Sequence, residues 1–181
     1  LVVLAVGVGI TGDGTAQELM FVYQATSDGS SAAPNRFGLR DDALEGLDQY
    51  DLPQPPPVPD NAFNTYLSML TPPAVFPNRW LDDVRPSLNL TLDRIELWQM
   101  MIVGGATGSP CTITITEEAA SPVPYELYLI GSGLADERVP VPGSLTFNLS
   151  SPSMLLLWEL HLDDQVAVES ATWGGVQALY R

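Results

Sequence analysis

Short runs of alternating apolar and polar residues, punctuated by Pro and Gly, recur along this chain. ELMFVYQAT (18–26) opens the series and ends at the turn SDGS. Leu19, Phe21 and Tyr23 alternate with Met20, Val22 and Gln24, so both faces are mostly apolar, as in a central strand with a covered face. SAAPNRFG reads as irregular, and RDDALEGLD as one short helical turn. NTYLSML (64–70) is a predicted strand, broken by Pro72 and Pro73. RIELWQMMIV (94–103) and CTITITEE (111–118) read as a strand pair joined by GGATGSP. PYELYLIG (124–131) sets Tyr125, Leu127 and Leu129 against Glu126, Tyr128 and Ile130. GSLTFNL (143–149) alternates Leu145, Phe147 and Leu149. SMLLLWELHL (153–162) sets Leu155, Leu157, Glu159 and His161 against Leu156, Trp158, Leu160 and Leu162. No long helical period appears, and strands at this spacing predict an all-β, antiparallel β-sandwich.

Two stretches stand outside the alternation. LVVLAVGVGI (1–10) is apolar throughout but too short to span a bilayer, which takes about 20 residues. Val and Ile suit a strand, so the segment can be a genuine first strand, or one donated to a neighbouring subunit of a fibre. The reading favoured here is the remnant of a secretory signal peptide, because Gly14 and Ala16 fit a cleavage site after Ala16. The second stretch is GLDQYDLPQPPPVPDN (46–61), where four of the five residues from Pro53 to Pro57 are proline. Proline lacks the N–H and fixes φ, which excludes a helix or a central strand. A stiff polyproline strap over 52–59 is expected, at about 3.1 Å per residue. The expected division is a signal-peptide remnant (1–16), a sandwich domain (17–163) containing the strap, and a short C-terminal tail (164–181).

Composition narrows the class. The chain has 181 residues, enough for one domain with appendages, and 45% of them are hydrophobic, which rules out a disordered polymer. Asp and Glu number 22 against 7 Arg and no Lys, a net charge of −15. A field of that sign repels phosphate backbones and anionic lipid, so nucleic acid is excluded as a partner. The single cysteine, Cys111, has no partner for an intrachain disulfide, and CTITIT places it on one strand face with Ile113 and Ile115. That pattern predicts a buried thiol rather than a dyad with the single histidine, His161.

Along residues 18–162 a series of motifs resembles a family of secreted bacterial β-sandwich domains found at the C-terminal end of surface proteins. The residues that carry the resemblance begin with Ser27-Asp28-Gly29 and Phe37-Gly38. Ala43, Gly46, Asp48, Tyr50-Asp51, Pro53, Pro55 and Pro56 follow, then Asp83-Val84-Arg85 and Leu97-Trp98. The strands from Cys111 to Ile115 and from Pro124 to Leu129, and Ser144 to Phe147, complete it, although the first lacks the family's tryptophan. The ending Thr172 to Arg181 is more weakly similar to tails of such proteins. The resemblance implies an immunoglobulin-like sandwich without catalysis, exported from the cell, and a proline run that straps one domain. In it Tyr50, Leu52 and Val58 would pin the strap, while Asp48 and Asp51 would accept from turn N–H groups.

No motif for hydrolysis, phosphate binding or zinc is present, and no enzymatic activity is expected. Two binding chemistries remain open. Asp41, Asp42, Glu45, Asp48 and Asp51 fall within eleven residues and could supply oxygens to Ca2+, though their spacing is not that of an EF-hand. The alternative is a solvated acidic loop. Tyr66, Trp80 and an exposed face of Trp98 could stack on a sugar; the alternative places them in the core. The function expected is a structural or adhesive extracellular domain with a protein or glycan partner at the cell surface. A carbohydrate- or calcium-binding module and a fibre subunit are the alternatives.

Overall fold

The computed structural model describes residues 18–44, 47–55, 62–69, 78–87, 94–119, 124–131, 134 and 137–162. The elements are β1 (Glu18–Ser27), β2 (Ser30–Ser31), β3 (Asn35–Arg40), β4 (Asn64–Ser68), β5 (Asp82–Pro86) and β6 (Arg94–Val103). They continue as β7 (Pro110–Ala119), β8 (Tyr125–Gly131), β9 (Glu137–Arg138), β10 (Gly143–Asn148) and β11 (Ser153–Leu162). Sheet A runs β10-β7-β1-β3-β5, with β2 hairpinned onto β1; sheet B runs β4-β6-β11-β8-β9. All pairs are antiparallel except β3 with β5. The two sheets bury one core between them, the sandwich that the alternation predicts.

The core is aromatic at its centre. Phe37 lies 5.1 Å from Trp98, 5.4 Å from Trp158 and 5.2 Å from Phe21, measured between ring centroids. It therefore joins a sheet A strand to the two central strands of sheet B. Trp98 and Trp158 stand directly opposite each other in the β6–β11 ladder, so they share a face, and their burial against Phe37 makes it the inner one. Gly38 beside Phe37 has a steric reason. A Cβ there would sit 2.2 Å from the Leu19 carbonyl oxygen and 2.8 Å from Met20 Sδ.

Several expectations are corrected. SAAPNRFG is not irregular throughout, because β3 starts at Asn35. RDDALEGLD forms no helical turn among the described residues; Asp41 and Asp42 make a turn off the end of β3, and 45–46 lie outside the description. β6 and β7 do not pair, since GGATGSP carries the chain from sheet B to sheet A. β6 is claimed by β4 and β11, and β7 by β1 and β10. LDDVRP contains an edge strand, β5, in parallel with β3. The strand from Asn64 ends at Ser68. SDGS is a hairpin turn in which Asp28 and Gly29 both have positive φ, the geometry that Asp-Gly favours.

The first half of the proline-rich segment closes the edge between the sheets. The Gln54 N–H donates to the Arg79 carbonyl (3.0 Å), and the Leu81 N–H donates to the Leu52 carbonyl (2.8 Å). Trp80 bridges to Leu67 on β4 as well as to Pro53. Gln54 Nε2 donates to the Thr65 carbonyl (3.0 Å), and Thr65 Oγ1 donates to Asn35 Oδ1 (2.7 Å). Thus the segment, β4 and β3 are linked through buried amides. Leu52 does not pin it: this side chain is 51% exposed, and Gln54 and Asp51 are the buried anchors. Val58 lies outside the described residues, as do 1–17 and 163–181.

Candidate functional site

The acidic loop folds over one end of sheet A. There Met20, Val84 and Ala43 form a small apolar cluster with Tyr50 and Ala119 packed against it. Three of its described carboxylates, Asp42, Asp48 and Asp51, accept from the loop and from the strands beside it. Asp48 accepts from the N–H groups of Leu44 and Tyr50, both at 2.7 Å. Asp51 accepts from the N–H groups of Asp48 (3.0 Å) and Val84 (3.1 Å). Asp42 takes Arg40 Nε at 2.9 Å and the Tyr50 hydroxyl, and the Arg40 guanidinium lies 4.3 Å from the Tyr50 ring centroid. The Arg40 and Tyr50 hydrogen bonds hold the Asp42 carboxyl below its usual range. Burial pushes Asp51 up to about 6, against the pull of its two N–H donors and with the help of the nearby Asp83 and Asp48 charges.

The turn-capping role expected of Asp48 and Asp51 is thus present. A convergent cation site is not: no group of three or more His, Cys, Asp or Glu suited to a metal occurs among the described residues. Asp42, Asp48 and Asp51 turn toward different donors, and Glu45 lies outside the described residues.

The aromatic platform is also corrected. Trp98 is 0% exposed and Trp80 is buried with it in the core, so neither offers a face to a sugar. Tyr66 points to the opposite side of its sheet, in register with Met101, and is buried with the Arg79 guanidinium 5.0 Å from its ring centroid. The inner position of Trp98 has its own use. Arg85 lies 4.9 Å from the Trp98 ring centroid and pairs with Asp83 (3.1 Å) and Glu96 (3.5 Å). It also donates to the Leu97 carbonyl (2.8 Å), so a sheet A side chain is fastened to a sheet B strand.

Cys111 is buried on the inner face of sheet A with Ile113 and Ile115, as expected, and burial raises its thiol to about 11. His161 is on the outer face of sheet B, across the sandwich, so no Cys/His dyad forms.

The feature the alternation undersold is the outer face of sheet B. Register gives four rows: Tyr66–Met101–Leu155, Ser68–Gln99–Leu157–Ile130, Leu97–Glu159–Tyr128 and Ile95–His161–Glu126. Ile95 is 59% exposed and Leu155 49%, with Leu97, Met101, Leu157 and Ile130 half-buried beside them. At the β8–β11 side of this apolar stripe the polar groups pair among themselves. Tyr128 donates to Glu126 (2.6 Å), Arg138 pairs with Glu126 (3.2 Å), and His161 pairs with Glu159 and lies 4.9 Å from Tyr128 between ring centroids. An apolar patch rimmed by polar groups is the usual mark of a contact surface. The signal in the sequence was the doubly apolar character of RIELWQMMIV and SMLLLW. No family model matches the chain, and neither a curated protein nor a solved structure matches it.

Proposed function

We propose that this chain is a non-catalytic, immunoglobulin-like β-sandwich module of a secreted bacterial surface protein. It has a structural or adhesive role and makes its contacts through the outer face of sheet B. The observation that carries the reading is the apolar stripe of Ile95, Leu97, Met101, Leu155 and Leu157 on a sheet face that the core does not use. The motif series from Ser27 to Phe147 supports the extracellular, immunoglobulin-like part. Pairing of Leu52–Gln54 with Arg79–Leu81 supports a proline strap that serves one domain rather than linking two.

The test is surface proteolysis of intact cells that produce the protein. Peptides of this chain released without lysis are expected. Protection until the cells are broken would contradict the extracellular assignment.

A further inference from the structure

We infer that β10 is an open sheet edge to which a second copy of this chain adds its own β10, antiparallel, about a two-fold axis at Thr146. This does not depend on the outer face of sheet B. An edge strand offers a row of unpaired N–H and C=O groups, and sandwiches ordinarily blunt such edges. The two sheets end at β10, β5, β4 and β9, and all but β10 are blunted. On β5, the Asp82 N–H donates to the Leu52 carbonyl (3.4 Å) and the Val84 N–H to Asp51 (3.1 Å), while Pro86 has no N–H. On β4, Leu67 exchanges both backbone bonds with Trp80 (2.8 and 2.9 Å), and the Thr65 carbonyl accepts from Gln54 (3.0 Å). Just past that strand, Met69 exchanges both of its bonds with the Asn78 side-chain amide (2.7 and 2.9 Å). β9 is a charged pair, Glu137 and Arg138, with Pro140 close behind.

β10 has none of these devices. Leu149, just beyond it, turns both backbone groups toward the β7 side: its N–H donates to the Ser109 carbonyl (2.9 Å) and its carbonyl accepts from the Gly108 N–H (2.7 Å). Pairing alternates along an antiparallel ladder, so Gly143, Leu145 and Phe147 bond to β7, and Ser144, Thr146 and Asn148 aim their N–H and C=O groups outward. Those three residues are exposed, and among the described residues no backbone group bonds to them from the open side. The strand runs from Gly143 to Asn148 without a register shift, a proline or a charge.

The side chains of β10 match their own image. With Thr146 opposite the partner's Thr146, Ser144 meets the partner's Asn148 on the outer face, and Leu145 meets the partner's Phe147 on the inner one. Polar rows meet polar rows, and Leu145 and Phe147, which the core leaves half-buried at this edge, gain an apolar neighbour each. No ionisable side chain faces another across the seam, because Glu117 and Glu118 lie on β7 beyond the register of Gly143. The net charge of −15 opposes association from a distance rather than at the seam, so salt should tighten the dimer.

The test is sedimentation equilibrium of the full chain. A concentration-dependent dimer is expected, and it should tighten from about 0.05 M to about 0.5 M salt as the screening length falls. Thr146→Pro removes an N–H that faces solvent in the monomer, which an edge strand tolerates. It deletes both bonds of the central pair and should weaken the dimer at least about tenfold with far-ultraviolet circular dichroism unchanged. If that variant does not fold, Thr146→Lys and Thr146→Glu give a second reading. Each alone sets like charges opposite each other and should weaken the dimer, whereas an equimolar mixture should pair more tightly than either. A monomer at every concentration and salt overturns the inference. So does a dimer indifferent to all three substitutions, or one dissolved instead by Leu155→Thr with Leu157→Thr, which assigns association to sheet B. Slow hydrogen exchange at Ser144, Thr146 and Asn148 in the monomer assigns the edge to another part of the chain and overturns it too.

Discussion

The two outer faces of this sandwich are built on the same backbone geometry and carry opposite chemistry. On sheet A, register lines up Thr146–Thr112–Thr26 and Ser144–Thr114–Gln24, and the strand ends hold ion pairs such as Arg40 with Glu18 and Arg36 with Glu118. Where an apolar side chain does reach that surface, as at Met20 and Val84, Ala43 and Tyr50 of the acidic loop are packed against it. On sheet B the corresponding positions are Ile95, Leu97, Met101, Leu155 and Leu157, and Leu155 and Ile95 stay open to solvent. Solvated sheet faces ordinarily alternate apolar-in and polar-out. Sheet A obeys that rule and sheet B breaks it, and that exception is what the proposed contact face rests on.

The comparison depends on a rigid two-sheet body, and substitutions that dissolve the body should have the largest effects. Phe37→Ala empties the aromatic hub between the sheets and is expected to cost about 3–5 kcal/mol in denaturant unfolding, enough to blur both faces. Arg85→Ala leaves the buried Asp83 without its partner and frees β5 from β6. A loss of about 3 kcal/mol is expected, only partly recovered by Arg85→Lys, which cannot form the same fork. Gly38→Ala forces a methyl against the Leu19 carbonyl and should cost about 1–3 kcal/mol, disturbing sheet A rather than sheet B.

A pH scan sharpens the sheet A side. Asp51 has a folded-state pKa of about 6, raised above the ordinary 3.8, so the folded state holds its proton more tightly than the unfolded chain. Its contribution is fully present below about pH 4 and is lost as pH rises through about 6. The melting temperature should therefore rise on acidification from pH 7 to pH 5, less steeply in Asp51→Asn. Equal slopes would remove Asp51 from the account.

The smallest stability effect belongs to sheet B. Leu155→Thr with Leu157→Thr should change unfolding free energy by no more than about 1 kcal/mol, whereas Leu156→Ala, one position inward, should cost about 2–5 kcal/mol.

Most strands were legible because their alternation matches the pleat. β7, with Cys111, Ile113 and Ile115 inward and Thr114 and Thr116 outward, is the plainest case. β3 was hidden because Asn35, Arg36 and Gly38 look like loop residues. Asn35 is buried as a hydrogen-bonding amide, and Gly38 is required by the close approach of β1. β5 was hidden because its inward residues are Asp83 and Arg85, which satisfy each other and read as solvated charges. The acidic loop's capping was legible, since Asp bonds nearby backbone N–H groups. The apolar outer face of sheet B was not. In β6 both alternate sets are apolar, so periodicity cannot say whether Trp98 or Leu97 points inward. Only the packing of Trp98 against Phe37 of the facing sheet decides it.

The measurement that bears most directly on the contact face is hydrophobic-interaction chromatography of the full chain beside two double variants. These are Leu155→Thr with Leu157→Thr on sheet B, and Thr112→Ser with Thr114→Ser on sheet A. The account predicts clearly earlier elution for the sheet B variant alone. Unchanged elution of that variant would mean that the stripe is not an open surface of the molecule, and the assignment of the contact face would fall.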